Sequence, residues 1–551
     1  MMADNDFFNI AQTLTTAAQD DPDRLAVIAR HAPDCLGRTV LSYAQLAEDS
    51  SRLAGGLLAN GFEPGDRVVV MVPMGLDFFI TVFALFKARL APVMVDPGMG
   101  LKRMLLCLSE GKPRGIIGVP RAHLACVLWP KYFVTVKKRV VLGRFPSLFG
   151  LKNFKKLLTG YPLLPERKTS AEETAAILFT SGATGPAKGA VYTHAMFRAQ
   201  VESIAANFGF KFGGVDMATF PLFALFAPAL GLTSVIPNMN PIKPGQADPK
   251  KLIHSLVSEK CDSLFGSPAL LARLAEYGES EKLVLKGVRL IITAGAPVRP
   301  TLAARIGALL EPGAALVTPY GATEGMPLTT VDNAEIAEAR GMTEQGFGMC
   351  VGRALPGIRL AILPISDQPM ESFKESQILP VGEIGEITAT GPVICQSYFE
   401  KPKETALTLV KGPDGTVWRR MGDLGWQDAQ GRLWFCGRKS QRVVTERGTL
   451  FSVCCEAIFN NHPRTRRSAL VGVGRGGHQK PVIIIEPNAG LNRGQWAELV
   501  EELKKLGQAN PRTRAIEIFL RRDSFPMDIR HNAKIGREKL AVWAAKRLEA
   551  V

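Results

Sequence analysis

One ten-residue stretch of the chain carries the side chains that could hold a phosphate group, Thr180-Ser-Gly-Ala-Thr-Gly-Pro-Ala-Lys-Gly189. Its glycines let the backbone approach an anion closely, and backbone N–H groups and hydroxyls then donate hydrogen bonds to phosphate oxygens. Lys188 adds a movable positive charge. The stretch therefore predicts a phosphate-binding loop. Its expected ligand-binding residues are Thr180, Ser181, Gly182, Thr184, Gly185 and Lys188.

This loop differs from the nucleotide-binding loop of the G-x-x-x-x-G-K-[ST] type. Lys188 is followed by Gly189, so no hydroxyl stands there to hold magnesium. The apolar run at residues 174–180 is typical of a buried strand that leads into the loop. A flexible surface turn would have a similar composition, so the loop alone leaves that alternative open.

A second polar string, Tyr320-Gly-Ala-Thr-Glu-Gly325, follows a predicted strand at residues 316–319. Glu324 offers a hard carboxylate oxygen at the end of that strand, which suits Mg²⁺. A turn that exposes an acidic side chain to solvent is the alternative for the string by itself.

Five segments between residues 180 and 534 resemble, in type and order, the motifs of the acyl-adenylate-forming superfamily. That superfamily includes acyl-CoA synthetases, luciferases and the adenylation domains of peptide synthetases. The resemblance implies ATP and Mg²⁺ as cofactors. It implies that Tyr320 and Thr323 contact adenine and the α-phosphate and that Glu324 is the metal ligand. Gly321, between them, is a further expected cofactor-binding residue. The segment implied to lie against adenine is Gly295, Ala296 and Pro297.

The same resemblance assigns the later motifs. Asp423 would hold the ribose hydroxyls, because a carboxylate can accept hydrogen bonds from two O–H donors. Arg438, at the expected joint between two domains, would also reach the ribose. Lys534 would cross the cleft to the substrate carboxylate and the α-phosphate. We expect Lys534, Thr184 and Glu324 to be the catalytic residues.

Over essentially its whole length the chain resembles the β-lactone synthetases of bacterial long-chain olefin biosynthesis. The resemblance rests on Val95-Asp-Pro-Gly-Met-Gly100, on a basic stretch at residues 111–165, and on Arg530-His-Asn-Ala-Lys534. It implies that a long-chain 2-alkyl-3-hydroxy fatty acid is adenylated and then closed to a β-lactone, with release of AMP and pyrophosphate. Other enzymes of the olefin pathway are implied as partners.

An apolar segment at residues 218–236 is the predicted lining of an alkyl pocket, with ordinary core packing as the alternative. The lining residues expected there are Phe220, Phe223, Ala224 and Phe226. Ser440 stands where the superfamily has an acidic or lysine hinge residue, so the hinge chemistry is altered. Many acyl-CoA ligases have a histidine or another polar aromatic residue where this chain has Ala224, and the stretch after the hinge, residues 440–448, lacks the superfamily's acidic-then-lysine pattern. Both departures argue against coenzyme A as the acyl acceptor.

Two other functions stay open on the sequence alone. One is a long-chain fatty acyl-CoA or acyl-AMP ligase. The other is a non-catalytic scaffold that binds lipid or a partner protein. His194 lies near the loop and is expected to be structural, so the sequence identifies no base for the 3-hydroxyl.

The elements that must position these residues alternate between strand and helix from about residue 66 onward, which predicts a mostly parallel sheet covered by helices. The pattern changes near Gly437 to short strands, a hairpin around Glu446-Arg-Gly448 and two late helices. The prediction is an α/β protein with a large N-terminal adenylate-forming domain, residues 1–437, and a small mobile C-terminal α+β domain, residues 438–551.

Charge is unevenly distributed along the 551 residues, whose formal net charge is +16. Residues 111–165 contain eleven Lys and Arg and no acid, and apolar residues lie between the charges. A solvated face would explain this composition, and so would an amphipathic surface that contacts an anionic membrane or an acidic partner. Nucleic acid is not expected, since no binding motif accompanies the charge.

Nine cysteines without a C-x-x-C pair favour a reduced interior. The acidic N-terminus lacks the basic region of a secretory signal. The apolar runs at residues 78–86 and 218–240 are respectively too short and too interrupted by proline to span a bilayer. We expect a cytoplasmic protein, and peripheral membrane contact through the basic stretch stays open beside the solvated face.

Overall fold

The predicted alternation of strands and helices builds two large sheets that share one apolar core. The computed structural model describes residues 7–143, 150–179, 188–527 and 534–549. The helix Leu76–Lys87 is the central element of this core, and ten of its twelve residues are buried. The apolar run at residues 78–86 is therefore core, as its length predicted. Within the described ranges, no helix combines the length and the apolar character needed to cross a membrane.

The first large sheet has seven strands and is parallel except at one edge, where the strand after the predicted phosphate loop turns back. In spatial order its strands are Leu151–Asn153, Lys138–Val141, Gly115–Gly118, Arg67–Met71, Ala91–Val95, Thr174–Phe179 and Gly189–Thr193. The helices of this part of the chain are Gln12–Asp20, Tyr43–Ala59, Leu76–Lys87, Leu101–Glu110, Pro120–Leu128, Phe154–Thr159 and His194–Asn207.

The basic stretch at residues 111–165 supplies the three outer strands of this sheet. Its interleaved apolar residues were expected on an outer surface, but Phe133, Phe154, Leu157 and Leu158 are buried. That expectation is wrong for these four side chains, because the strands of the stretch pair with the sheet and need apolar cover. The charges remain largely outside.

The second large sheet has nine strands with a parallel centre and antiparallel edges. In spatial order they are Arg353–Ala354, Gly325–Asp332, Ala315–Ala322, Leu290–Ile292, Ser263–Phe265, Val215–Ala218, Thr233–Val235, Leu25–Ile28 and Val40–Ser42. Its helices are Pro221–Ala224, Phe226–Ala229, Pro249–Ser258, Pro268–Ser280, Pro300–Gly307, Asn333–Glu338 and Arg340–Glu344. Ser267 caps the helix that Pro268 opens, as the sequence predicted.

A third sheet, of six antiparallel strands, follows in the chain. Its strands are Met349–Cys350, Arg359–Leu363, Gly385–Thr390, Leu409–Lys411, Val417–Gln427 and Leu433–Arg438, and the helix Pro402–Ala406 lies between two of them in sequence. Together these sheets confirm the predicted α/β class.

The C-terminal part is built on separate elements. A hairpin pairs Val443–Thr445 with Gly448–Leu450, as predicted, and a small sheet contains Thr465–Val473, Lys480–Pro487 and Ile518–Arg521. Its helices are Ser452–Asn460, Arg493–Gln508 and Arg537–Glu549. We keep the division between residues 437 and 438 as a proposal. The end of the strand Leu433–Arg438 and the start of this separate sheet support it.

Candidate active site

A cavity of about 1140 Å³ lies where strand ends of the two large sheets face the C-terminal part. Most of the predicted site residues line it. They are Lys188, Gly295, Ala296, Pro297, Tyr320, Gly321, Thr323, Glu324, Asp423, Arg438, Lys534, Phe220, Phe223 and Phe226. Residues far apart in sequence are thereby brought to one place. The predicted loop residues Thr180, Ser181, Gly182, Thr184 and Gly185 lie outside the described residues, so their roles stay predictions.

Asp423 is the buried acceptor at one end of the cavity, with an exposed fraction of 3%. The hydroxyl of Tyr320 donates to its Oδ2 over 2.8 Å, and Arg438 Nη1 lies 3.0 Å from its Oδ1. Burial raises the pKa of Asp423, whereas the Arg438 charge and the Tyr320 hydrogen bond act in the opposite direction. Arg438 is close to Oδ1 without a hydrogen bond to it, and Oδ1 has no hydrogen-bond partner among the described residues. This oxygen can therefore accept O–H donors from a bound sugar.

Glu324 stands at the tip of a tight hairpin between the strands Ala315–Ala322 and Gly325–Asp332. Gly321 makes the tip possible, because its φ is +156° and a Cβ there would collide with the carbonyl oxygen of Gly325. The Glu324 carboxylate accepts a hydrogen bond from the Tyr398 hydroxyl at 2.8 Å.

The surroundings of Glu324 suit a magnesium ion that is held largely by a nucleotide. Within the described ranges, no group of three or more His, Cys, Asp or Glu side chains could hold a metal ion. Nucleotide-bound Mg²⁺ typically uses one or two carboxylates and completes its shell with phosphate oxygens and water. The single carboxylate of Glu324 fits that pattern.

Sequence reasoning missed Tyr398, which contacts Glu324, and Arg419, which packs on the Tyr398 ring. Lys188 Nζ lies 5.2 Å from the centre of the Tyr398 ring, and the Arg419 guanidinium lies 4.9 Å from it. Arg419 is 1% exposed, and its Nε donates to the Cys395 carbonyl over 2.8 Å. The cavity thus places two cations at the ring of the phenol that donates to the Glu324 carboxylate. The pair Arg419-Arg420 within an apolar strand was the only signal of this in the sequence.

Lys534 enters the cavity from the C-terminal part. Its charge lowers the pKa of Asp423, as a smaller contribution than that of Arg438. Three residues later, Arg537 forms a two-point ion pair with Glu456, with N–O distances of 2.6 and 2.9 Å. Glu456 is 6% exposed and also accepts from the Leu470 amide. This pair fixes the start of the last helix and with it the backbone next to Lys534.

The other end of the cavity is apolar and aromatic. Phe223 stacks on Phe265 with ring centres 4.1 Å apart, and Phe220 lies 5.6 Å from Phe223. A second aromatic group that the sequence did not reveal joins Phe197 to Phe86, at 5.8 Å, and to Tyr192, at 5.0 Å. Further lining residues of this apolar kind are Ile10, Val70, Val72, Met74, Phe83 and Val201.

Ala224 and His194 are both buried, and their environments differ from each other. Ala224 is fully buried and is not part of the cavity lining, so its prediction as a lining residue is wrong. The short helix Pro221–Ala224 turns Ala224 toward the core while Phe220 and Phe223 face the cavity. His194 is structural, as predicted: its Nδ1 accepts from the Ile10 amide at 3.1 Å, and burial lowers its pKa to about 4.

Fold and site define an adenylate-forming enzyme, and comparison with known proteins agrees. Residues 14–399 match the family described as AMP-binding enzyme. The crystal structure of ATP-bound MatB from Rhodopseudomonas palustris superposes with a TM-score of 0.78 at 20% identity, covering 98% of this chain and 100% of that one. The chain belongs to the AMP-binding enzyme family, and the predicted superfamily is confirmed.

Within this family, two full-length relatives carry one name. The olefin beta-lactone synthetase of Xanthomonas campestris pv. campestris is 43% identical over 98% of both chains. The olefin beta-lactone synthetase of Stenotrophomonas maltophilia K279a is also 43% identical, over 98% of this chain and 99% of the relative. The predicted resemblance to olefin β-lactone synthetases is thereby confirmed.

Proposed function

We propose that this protein uses ATP to adenylate a long-chain 2-alkyl-3-hydroxy fatty acid and closes the acyl-adenylate to a β-lactone, releasing pyrophosphate and AMP. The observation that carries the proposal is the 43% identity, over nearly the whole chain, to two olefin beta-lactone synthetases. The cavity supports it, because one continuous space joins the polar surroundings of Asp423 to the aromatic surroundings of Phe223.

In the first step the substrate carboxylate attacks the α-phosphorus of ATP and pyrophosphate leaves. Asp423 would hold the ribose through its free Oδ1, with Tyr320 and Arg438 keeping the carboxylate in place. Lys188 and Lys534 would offset the negative charge that develops on the phosphates. A magnesium ion bound to Glu324 would supply further charge neutralisation at the phosphate oxygens.

In the second step the 3-hydroxyl oxygen attacks the carbonyl carbon of its own acyl-adenylate. A C–O bond forms, the bond between the acyl carbon and the phosphate oxygen breaks, AMP leaves with that electron pair, and the hydroxyl proton passes to solvent. Nucleophile and electrophile share one molecule, so the enzyme needs to restrict their relative orientation rather than to bring a second substrate. The aromatic lining would do this by holding the alkyl chains.

The alternative, a long-chain fatty acyl-CoA ligase, predicts a different second substrate. The experiment combines a synthetic 2-alkyl-3-hydroxy acid with ATP and magnesium, with and without coenzyme A. We expect AMP and a product one water lighter than the acid in both reactions, seen by mass spectrometry and by the proton NMR signals of a four-membered ring. A thioester that forms only with coenzyme A would instead assign the chain to the ligases.

We also propose that the surface formed by the helices Leu101–Glu110 and Pro120–Leu128 and the turn after them contacts an anionic membrane. Six apolar side chains are exposed there, Leu101, Leu106, Leu124, Val127, Leu128 and Val134. Exposed basic residues accompany them at positions 102, 121, 131 and 137. Apolar residues flanked by lysine and arginine suit insertion at an anionic lipid interface, and such a membrane would also deliver a poorly soluble acid.

Vesicle sedimentation tests this contact. The protein should sediment with phosphatidylglycerol vesicles and not with phosphatidylcholine vesicles, and the double variant Val127→Glu/Leu128→Glu should lose most of the binding. Val542→Glu is the matched control, because Val542 is 61% exposed on the last helix, outside this surface. Equal binding by both variants would remove the surface from the proposal, and binding to an acidic protein without binding to vesicles would replace the membrane as its partner.

A further inference from the structure

Among the described residues, the side-chain oxygen of Gln200 is one of several buried polar atoms of the cavity lining that have no hydrogen-bond partner. Gln200 lies in the helix His194–Asn207, is 5% exposed and lines the cavity. Its Oε1 is without a hydrogen bond among the described residues. Buried polar atoms in folded proteins are nearly always satisfied, so an exception at a binding cavity calls for an explanation.

The orientation of the Gln200 amide is set by its other atom. Nε2 donates to the carbonyl oxygen of Met326 over 2.7 Å. A flipped amide would place Oε1 against that carbonyl, oxygen to oxygen, and would lose the hydrogen bond. Oε1 is therefore the free atom, and it is an acceptor that only a donor can satisfy.

The helix presents Gln200 as the polar member of an apolar stripe. Phe197, Gln200 and Val201 are three and four positions apart, so they share one face of the helix, and all three line the cavity. An apolar side chain at position 200 would cover alkyl groups equally well. The Met326 carbonyl accounts for the amide nitrogen, and the unpartnered oxygen points to recognition of a polar group within an otherwise apolar part of the ligand.

The position of Gln200 indicates which part of the ligand carries this polar group. Its Nε2 holds the Met326 carbonyl, while the neighbouring Tyr192 hydroxyl donates to the Thr323 carbonyl. The two hydrogen bonds anchor the chain on either side of Glu324 and Gly325. Gln200 thus stands at the junction between the nucleotide end and the aromatic end of the cavity, where the activated carbonyl of an acyl-adenylate must lie.

We propose that Gln200 Oε1 accepts a hydrogen bond from the 3-hydroxyl of the substrate and turns its oxygen lone pair toward the acyl carbonyl carbon. This inference rests on the proposed function and adds the residue that selects for a 3-hydroxy acid. The hydroxyl is bonded to the second carbon beyond the carboxyl, so its acceptor has to stand at this junction. An amide oxygen is too weak a base to take the proton, so Gln200 is a positioning residue, and the proton goes to solvent as AMP leaves.

The test separates activation of the acid from ring closure. The variant Gln200→Met keeps side-chain length and volume but offers no comparable acceptor. Pyrophosphate release is measured with the 2-alkyl-3-hydroxy acid and with a 2-alkyl acid that lacks the 3-hydroxyl, and lactone formed per AMP released is measured with the 2-alkyl-3-hydroxy acid. Glu202→Met is the control, because it replaces a polar side chain by methionine at an exposed position of the same helix, outside the cavity lining.

Because Gln200→Met also loses the Nε2 hydrogen bond to the Met326 carbonyl, we expect its pyrophosphate release to fall to the same extent with either acid. Its lactone yield per AMP should fall about tenfold or more, the loss expected for one hydrogen bond in a desolvated site, with hydrolysed acid in its place. Glu202→Met should keep the wild-type lactone yield. An unchanged lactone yield per AMP in Gln200→Met would overturn the role of Gln200. Absence of lactone from the wild-type protein would instead refute the proposed function itself.

Discussion

Replacing Asp423 by asparagine tests whether its free oxygen binds the ribose of ATP. The substitution keeps the shape of the side chain and removes its charge. The ligand is varied as well, because 2′-deoxy-ATP and 3′-deoxy-ATP each lack one of the hydroxyls that Asp423 would accept. If the carboxylate binds a ribose hydroxyl, the loss of nucleotide affinity on removing that hydroxyl depends on whether position 423 carries Asp or Asn.

The magnitude follows from the burial of the site. Asp423 is 3% exposed, so a hydrogen bond to its carboxylate is protected from water. A hydrogen bond to a charged group contributes about 1.5–3 kcal/mol, and one to a neutral group about 0.5–1.5 kcal/mol. Loss of the relevant hydroxyl should therefore weaken binding to the wild-type protein roughly 10- to 150-fold, and to Asp423→Asn only about 2- to 13-fold.

Isothermal titration calorimetry with ATP and the two deoxynucleotides, without the acid substrate, measures these ratios. Tyr320→Phe is the control, because it removes the donor to Oδ2 and leaves Oδ1 unchanged, so the penalty for the missing hydroxyl should persist. A penalty of the same size in the wild-type protein and in Asp423→Asn would show that the ribose hydroxyls bind elsewhere.

Two further predictions concern other residues of the site. His194 has a pKa lowered to about 4 by burial, below its ordinary 6.5, so its neutral form stabilises the fold above pH 6.5 and this stabilisation is lost as the pH falls toward 4. Up to about 3 kcal/mol of unfolding free energy should disappear over that range, and His194→Asn, which keeps an acceptor for the Ile10 amide, should flatten the pH dependence seen by chemical denaturation. An equally steep pH dependence in that variant would assign the loss to other groups. Lys534→Ala should reduce acid-dependent AMP formation by about 100-fold while ATP still binds, because it removes a cation needed only as charge develops. The exposed Lys539→Ala is its control, and an unchanged rate in Lys534→Ala would remove Lys534 from the mechanism.

Local sequence patterns were enough to predict the class of fold and the residues proposed for the nucleotide end of the site. Strand and helix follow from local apolar periodicity and from local caps such as Ser267 before Pro268, which act between near neighbours. Tyr320 and Asp423 are 103 positions apart, yet each belongs to a short motif that can be recognised without the other. In the fold the Tyr320 hydroxyl lies 2.8 Å from Asp423 Oδ2. Family resemblance supplied the order of those motifs.

Contacts between residues far apart in the sequence became known only from the tertiary structure. It brought Tyr398 to Glu324 and Arg419 to Tyr398, buried Ala224, and placed apolar residues of the basic stretch such as Phe154 in the core. The Gln200 amide nitrogen donates to the Met326 carbonyl, 126 positions away. This contact fixes the orientation of the amide, whose oxygen has no hydrogen-bond partner among the described residues. Such features depend on which elements pack together over long sequence separations, and a local pattern contains no record of the partner that a side chain will meet.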